Sequence, residues 1–243
     1  IFATLGREPE ARSFREAVQS FYFQYIVVMF ENPYGGNGPG MLDRLLWPWL
    51  ERDLAAGAIT LQDARELIDE LFIRMHERIQ SSDGWVETIM VGGTHPDGSS
   101  AATPLSRIII ESIMALDQTH PSVYVRLSQE SPQWLLELSA QYLLAGHNRA
   151  QIYNEEVCVA ALRNAGIDAA DAHALMAGGC MEMSAQGLTS DLNFSHVHNV
   201  AKTLELVLNG GVDMQTGERR MDHRQTLADY GCFESLYADF EAE

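Results

Sequence analysis

The chain has few cysteines and no long apolar run. Its 243 residues contain three cysteines, Cys158, Cys180 and Cys232, and no two of them have the short CxxC spacing of a structural zinc site. A disulfide framework is therefore not expected, and a reducing, cytoplasmic compartment is the expected location. The most apolar stretch, residues 21–30, is much shorter than the roughly 20 residues that a membrane-spanning helix needs.

Positive charge is also scarce. Lysine and arginine total 16 against 34 acidic residues, which gives a formal net charge of −18 at pH 7. Nucleic acids and anionic membranes are bound through basic surfaces, so neither is expected as a partner. Hydrophobic residues make up 46% of the chain, an ordinary share for a globular domain with a sizeable core.

The chain begins at Ile1 without an initiator methionine or a signal segment, and it stops inside a predicted helix that begins near Cys232. We therefore expect a piece of a larger domain, truncated at both ends. The sequence contains no internal repeat and no linker that would separate two domains.

Helical periodicity alternates with short strand patterns along the chain. Helices are predicted at about 9–30, 41–56, 60–80, from 103, 131–145, 156–164, 168–175, 194–208 and from 232, and strands at about 86–91, 122–127 and 151–153. Thr60 with Asp63, and Thr103 before Pro104, are typical helix starts. Strands that alternate with helices predict an α/β architecture.

A thiol and a carboxylate lie two residues apart in the segment 177–187, AGGCMEMSAQG. Extended backbone directs residues i and i+2 to the same side, so Cys180 and Glu182 can face one substrate as an atom abstractor and a proton acceptor. The glycines before the cysteine suit a tight loop tip. Taken alone, the pair is a weak signal: a lone cysteine is more typical of a small buried side chain, and Glu182 is also compatible with a solvated loop carboxylate.

Several segments, read in order, resemble the glycyl radical enzymes of the pyruvate formate-lyase-like superfamily. These segments are residues 42–54 (LDRLLWPWLERDL), 91–93 (VGG) with 97–98 (DG), 121–123 (PSV), 153–157 (YNEEV), 179–182 (GCME), 199–206 (NVAKTLEL) and 209–211 (NGG). No single motif is decisive, but their shared order is specific, and it covers the chain from about residue 15.

The resemblance implies a ten-stranded α/β barrel built from two half-barrels and surrounded by helices, with a finger loop that carries the active cysteine. Residues 1–243 would then be a helix-rich fragment of that barrel, a partial pyruvate formate-lyase-like domain. The resemblance also implies a homodimer, located in the cytoplasm or inside a bacterial microcompartment.

The same resemblance assigns roles to the thiol and the carboxylate. Cys180 would be the thiyl residue that takes a hydrogen atom from a small polar substrate, and Glu182 would be the general base. The radical would come from a glycine outside this chain, installed under anaerobic conditions by a radical S-adenosylmethionine activase with a [4Fe-4S] cluster. No cofactor would bind the chain directly.

Departures from the family pattern narrow the prediction. Gly179 precedes Cys180 where pyruvate formate-lyase has a second cysteine, so acyl transfer lacks its second thiol. Met183 replaces a common proline, and residues 35–38 read GGNG where many dehydratases have serine and histidine. The glycine-radical motif RVxGY does not occur in the chain. The missing second thiol favours an eliminating dehydratase, or a carbon–nitrogen or carbon–sulfur lyase. Met183 and the GGNG loop imply a different loop geometry and different substrate contacts, and without the glycine-radical motif this chain alone should not sustain turnover.

Four further residues are candidates for substrate contacts. Asn193 and Val197 lie four apart near the start of a predicted helix, so they would share one side of it. In the barrel that the resemblance implies, that side would face the finger loop, and Tyr34 and Asn37 would reach the pocket from the glycine-rich loop. The alternatives are packing or capping for the first two residues and turn chemistry for the loop asparagine.

No metal site is expected, because His196 and His198 would point about 200° apart on a helix. Other functions stay open at this point. They are a decarboxylase, a formate C-acetyltransferase-like or a fumarate-adding member of the same superfamily, and a non-catalytic assembly module.

Overall fold

The computed structural model describes residues 11–31, 38–78, 87–146, 150–177, 182–188 and 199–242. Contacts divide the chain into two compact units, Ile1–Leu192 and Asn193–Glu243, which are described in turn. The prediction of one partial domain over residues 1–243 stays a prediction.

In the first unit, helices alternate with strands as the sequence predicts. The helices are α1 (Phe14–Glu31), α2 (Leu42–Ala55), α3 (Leu61–His76), α4 (Pro104–Leu116), α5 (Gln133–Leu144), α6 (Glu155–Asn164) and α7 (Ala169–Ala172). The strands are β1 (Thr88–Gly92), β2 (Ser122–Leu127), β3 (Gln151–Asn154), β4 (Leu175–Ala177) and β5 (Met183–Ala185). This order confirms the α/β class.

The predicted helix starts at Thr60 and Thr103 are confirmed. Thr60 forms a capping box with Asp63, in which the Thr60 hydroxyl accepts from the Asp63 N–H at 3.1 Å and the Asp63 carboxylate accepts from the Thr60 N–H at 2.9 Å. Thr103 forms the same arrangement with Ser106, and Pro104 occupies the first turn of α4. These side chains bind N–H groups that have no partner within the helix.

The predicted start of helix α1 near residue 9 is wrong, because the helix begins at Phe14. The Ser13 hydroxyl accepts from the Glu16 N–H at 3.2 Å, and the Asp53 carboxylate accepts from the Phe14 N–H at 2.6 Å. Because these two side chains bind the first N–H groups of the helix, the helix starts where they are placed.

Strands β1, β2 and β3 form a parallel sheet in that order, with Met90 opposite Tyr124 and Arg126 opposite Tyr153. Alternate residues of a strand face opposite sides of a sheet. One side is aliphatic and packs into the main core with α1–α5; its residues are Ile89, Val91, Val123 and Val125. The other side carries larger and polar side chains, among them Arg126.

Strands β4 and β5 form a separate antiparallel hairpin, in which Leu175 pairs with Ala185 and Ala177 with Met183. The sequence did not predict this hairpin, and the helix predicted over 168–175 is wrong beyond Ala172. From Leu175 onward the backbone pairs with β5 instead of continuing the helix. Immediately before that strand, the Gln186 N–H donates to the Ala174 carbonyl at 2.8 Å.

The second unit contains α8 (Val200–Leu208), a 3₁₀ turn (Leu227–Asp229) and α9 (Phe233–Ala242). The Asn199 side chain accepts from the Lys202 N–H at 3.0 Å and caps α8. Gly210 and Gly211, both with positive φ, follow its end as predicted. The predicted start of this helix near residue 194 lies outside the described residues. In the part of the chain that the structure describes, no helix combines the length and apolarity needed to cross a bilayer.

Candidate active site

The segment that contains the thiol and the carboxylate connects the two strands of the β4–β5 hairpin. The last pair of the hairpin is Ala177 with Met183, so residues 178–182 form the connection. Glu182 immediately precedes β5; it is half-buried, and its Oε1 atom is shielded from solvent. Cys180 lies outside the described residues.

The hairpin packs on the polar side of the parallel sheet. Met176 and Ala177 of β4 form a small buried cluster with Met90 and Tyr124, and Tyr153 packs against it. The Ala177 N–H also lies 2.8 Å from the Met90 sulfur. These contacts place β4 on the side of the sheet opposite the main core.

Beneath the hairpin lies a buried ion pair between Arg126 of β2 and Glu155 of α6. Arg126 Nε donates to Glu155 Oε2 at 2.8 Å, and Arg126 Nη2 donates to Glu155 Oε1 at 2.6 Å. The Arg126 side chain is 0% exposed and that of Glu155 is 2% exposed. Such bidentate, charge-assisted bonds are short and directional, so they fix the plane of the guanidinium.

Arg126 also binds the backbone of residues 173–175, which we call the hairpin foot. Its Nη1 donates to the Leu175 carbonyl and its Nη2 to the His173 carbonyl, both at 3.1 Å. Arg44 of α2 donates to the same His173 carbonyl at 3.0 Å. His173 is the C-terminal cap residue of α7, so both arginines bind a carbonyl at a helix end, and Arg126 also binds the first carbonyl of β4.

Glu155 is bound on its other side by Thr94, from the turn after β1. The Thr94 N–H and hydroxyl donate to Glu155 Oε1 at 3.0 and 2.9 Å. The same hydroxyl lies 2.9 Å from His173 Nδ1. Glu155 therefore joins β2, the turn after β1 and the hairpin foot in one network.

A second buried carboxylate, Asp43 of α2, holds the end of β1. Its Oδ2 accepts from the Gly92 N–H at 2.8 Å and from the Ser106 hydroxyl at 2.6 Å. Arg44, the next residue, donates to the carbonyls of Gly92 at 3.2 Å and Thr94 at 2.7 Å. The two residues thus bind both backbone groups of Gly92.

Steric constraints explain why glycine occupies both positions of the VGG motif after Val91. Gly92 and Gly93 both have positive φ, which L-residues with a side chain rarely adopt. A Cβ at Gly93 would lie 2.7 Å from the Arg126 guanidinium carbon, so glycine leaves space for the buried arginine.

The strand β5 is fixed to the start of α2. Gln186, one residue beyond β5, accepts from the Met41 N–H at 2.9 Å through its Oε1. A Cβ at Gly40 would lie 2.5 Å from that oxygen, so the glycine permits the close approach. Both ends of the hairpin are therefore held by side chains of the first unit.

Burial and charge move three pKa values in this network. Burial alone would raise the pKa of Glu155, but the hydrogen bonds and charge of Arg126, with the bonds from Thr94, lower it. Burial raises the pKa of Asp43, and its hydrogen bonds offset this only in part. Burial and the nearby Arg126 lower the pKa of Arg44 to about 10, so Arg44 stays cationic at neutral pH.

These shifts predict how stability depends on pH. The native pKa of Glu155 lies below its ordinary value of 4.5, so its contribution is complete above pH 4.5 and is lost as the pH falls through the native pKa. Asp43 has the opposite sign: its native pKa lies above the ordinary 3.8, so its contribution is lost as the pH rises through the native value.

In Glu155→Gln, we expect the free energy of unfolding, measured with urea at several pH values between neutrality and acid, to fall less steeply with decreasing pH than in the unaltered protein. An equally steep decrease of the unfolding free energy in both proteins would contradict this.

Of the six predicted site residues, the structure describes Glu182 alone. The other five, Cys180, Asn193, Val197, Tyr34 and Asn37, lie outside the described residues, as do His196 and His198. Their roles stay predictions. Within the described ranges, no group of three or more histidine, cysteine, aspartate or glutamate side chains is arranged to hold a metal ion.

Sequence reasoning missed the network beneath the hairpin, namely Arg44, Arg126, Glu155 and His173. One signal was present: Arg126 is the charged member of an otherwise apolar or small alternating strand, SVYVRL. A charge in a buried strand requires a partner. The partner, 29 residues further along the chain, carries no comparable signal.

Comparisons with known proteins agree with this architecture. The trans-4-hydroxy-L-proline dehydratase of Clostridioides difficile is 28% identical, over 98% of this chain and 31% of that protein. The indoleacetate decarboxylase of Tractidigestivibacter scatoligenes is 27% identical, over 90% of this chain and 26% of that protein. The chain therefore spans less than a third of the length of these curated relatives, and both of their names are those of lyases.

A solved structure confirms the predicted fold. The crystal structure of a glycyl radical enzyme from Archaeoglobus fulgidus superimposes with a TM-score of 0.83 at 26% identity, covering 95% of this chain and 31% of that one. The first unit and its hairpin are thus the helix-rich part of a glycyl radical enzyme barrel that the sequence predicts. The pyruvate formate lyase-like family model matches residues 5–243, and the chain belongs to that family.

Proposed function

We propose that this chain is part of a glycyl radical lyase of the eliminating type, in which Cys180 forms the thiyl radical and Glu182 is the general base. The observation that carries the proposal is the β4–β5 hairpin. Its two strands pair directly on either side of residues 178–182, and its base is fixed to the parallel sheet. A catalytic loop needs such a rigid support to hold reacting groups in register.

The proposed reaction begins at the Cys180 sulfur. The thiyl radical takes a hydrogen atom from a C–H bond of the substrate, so an S–H bond forms and the unpaired electron moves to carbon. Sulfur–hydrogen and activated carbon–hydrogen bonds have comparable strength, so the transfer is reversible. After elimination, the product radical takes the hydrogen atom back and restores the thiyl. The unpaired electron is supplied by a glycine radical outside this chain.

Glu182 is proposed to transfer a proton from the substrate to the leaving group. It accepts a proton from the substrate group next to the radical carbon, and the leaving group departs from the adjacent carbon with its bonding electrons. Glu182 then returns the proton to the leaving group, which balances the elimination. Its position next to β5 and the burial of its Oε1 support a carboxylate directed away from bulk water.

Substrate and partners follow from the same proposal. The substrate is a small polar molecule with a leaving group beside the abstracted hydrogen, such as a diol, hydroxyproline, a choline-like amine or a sulfonate. The partners are a radical S-adenosylmethionine activase with a [4Fe-4S] cluster and a second copy of the enzyme. No cofactor is proposed to bind the described residues themselves.

The test is anaerobic activation of the complete protein with its activase, followed by electron paramagnetic resonance and a turnover assay. The probes are propane-1,2-diol, trans-4-hydroxy-L-proline, isethionate and indoleacetate. We expect a glycine radical doublet in every variant. Turnover should disappear in Cys180→Ala and should fall about 10²- to 10⁴-fold in Glu182→Gln, which keeps the shape but loses the base.

Cys232→Ala is the matched control, because it removes an exposed thiol that lies in the second unit. It should keep full turnover. Undiminished turnover in Cys180→Ala or Glu182→Gln would overturn the role given to that residue. Release of carbon dioxide from indoleacetate, with no elimination from the other probes, would replace the eliminating reaction with the decarboxylation that the relative of 27% identity indicates.

A further inference from the structure

We propose that Arg126, held by Glu155, is the positioning residue for the hairpin that carries the reactive loop, with Arg44 as its second support. The role rests on the proposed function, since it gives the loop between β4 and β5 its importance. It does not require Arg126 to touch substrate. Arg126 acts through the backbone of the hairpin foot.

Each N–H group of the Arg126 guanidinium has an acceptor. A guanidinium has five N–H groups in one plane. Two of them bind Glu155, one each binds the carbonyls of His173 and Leu175, and the fifth faces the Met41 sulfur at 3.0 Å. Because Glu155 fixes the plane of the guanidinium, the two carbonyl bonds fix the direction in which β4 leaves α7.

Arg44 binds one of the same carbonyls as Arg126 and also connects the hairpin foot to the end of β1. It donates to the His173 carbonyl at 3.0 Å and to the carbonyls of Gly92 and Thr94. The hairpin foot is therefore tied to the carboxyl end of β1 as well as to β2. Since sheet strands are among the least mobile parts of a domain, the hairpin inherits their rigidity.

A lysine at position 126 would keep the positive charge opposite Glu155. It could not span the carboxylate and two carbonyls, because its donors sit on a single nitrogen. Arg126→Lys therefore separates hairpin positioning from the electrostatic requirement of the fold. The matched control is Arg65→Lys, since Arg65 binds a carboxylate, Asp69, at 2.8 Å and a helix carbonyl, that of Glu111, at 3.0 Å, and neither partner belongs to the hairpin or its foot.

The first measurement is hydrogen–deuterium exchange of the complete protein without substrate. In Arg126→Lys, peptides that cover residues 173–186 should exchange about 10- to 100-fold faster, as expected for the loss of one or two hydrogen bonds to a charged donor. In Arg65→Lys, the increase should be confined to α3 and α4. Arg44→Lys should also speed the exchange of residues 173–186. If Arg126→Lys does not fold, the exchange in Arg44→Lys tests whether the arginines position the hairpin.

The second measurement is spectroscopic. When the activated protein is moved into D₂O, the proposed relay should carry deuterium from the Cys180 thiol to the glycine, so we expect the radical doublet to collapse to a singlet. A displaced loop should slow this collapse about 10- to 100-fold in Arg126→Lys and leave it unchanged in Arg65→Lys.

Three outcomes separate the two proposals. Hairpin exchange at the unaltered rate in Arg126→Lys, or an equal rise in Arg65→Lys, overturns the positioning role. Faster hairpin exchange together with slower collapse supports it. If the unaltered activated protein shows no collapse in D₂O, the proposed relay through Cys180 fails, and hydrogen exchange still decides whether Arg126 positions the hairpin.

Discussion

In an Arg126→Met protein, we expect the sheet and hairpin region to lose about 3–5 kcal/mol of its opening free energy, because one charge of a buried pair is left without its partner. Glu155 would remain almost fully enclosed, at 2% exposure. The carbonyls of His173 and Leu175 would also lose a donor. The measurement is native-state hydrogen exchange of the amides in β2 and β4, which reports local opening directly.

The cause can be isolated with a double variant. Glu155→Gln removes the orphaned charge but still accepts from Thr94. Adding it to Arg126→Met should therefore cost less than the sum of the two single losses, with a coupling of about 0.5–3 kcal/mol. Strictly additive losses would show that the two side chains do not act as a pair.

The second large effect is expected at Gly92. Alanine there would place its Cβ 2.8 Å from the Arg126 carbonyl oxygen and 3.2 Å from Leu135 Cδ2, at a φ of +78°. We expect a loss of about 1–2 kcal/mol from the left-handed backbone. Crowding against a strand that cannot move freely should add about 1–3 kcal/mol. Chemical denaturation of the unaltered and variant proteins measures the total.

Gly98→Ala provides the matched control for Gly92→Ala. Gly98 lies in the turn after β1 and has a φ of +86°, but a Cβ there would meet nothing within 4 Å. It should therefore show the backbone penalty without the steric one. Equal losses in the two variants would contradict the explanation by crowding.

The sequence predicted what depends on local patterns. The amphipathic periods, the helix starts at Thr60 and Thr103, and the glycines after α8 each act within a few residues, and the structure confirms them. The hairpin escaped prediction because β4 and β5 have three residues each. Three residues are too few to establish a strand period, and residues 173–177 continue the apolar pattern of α7.

The network beneath the hairpin was out of reach for a different reason. Arg44 binds the carbonyl of His173 from 129 residues away, and Asp43 binds Gly92 from 49 residues away. Such bonds depend on the register of the parallel strands and on the packing of α2 against them. Neither can be deduced from spacing along the chain, so the resemblance indicated the thiol and the carboxylate but not their support.

The two edges of the parallel sheet differ in a way that sets where the sheet can grow. Gly40 occupies the outer edge of β1: its N–H donates to the Thr88 carbonyl at 3.1 Å, and its carbonyl accepts from the Met90 N–H at 2.8 Å. On the opposite side, within the described ranges, the ladder ends at β3, where Ile152 is 39% exposed. Gly40 therefore covers the backbone groups of β1 around Ile89, whereas no strand lies on the far side of β3 within the described ranges. Because an unpaired strand edge is a template for pairing, we expect an added strand to pair with β3.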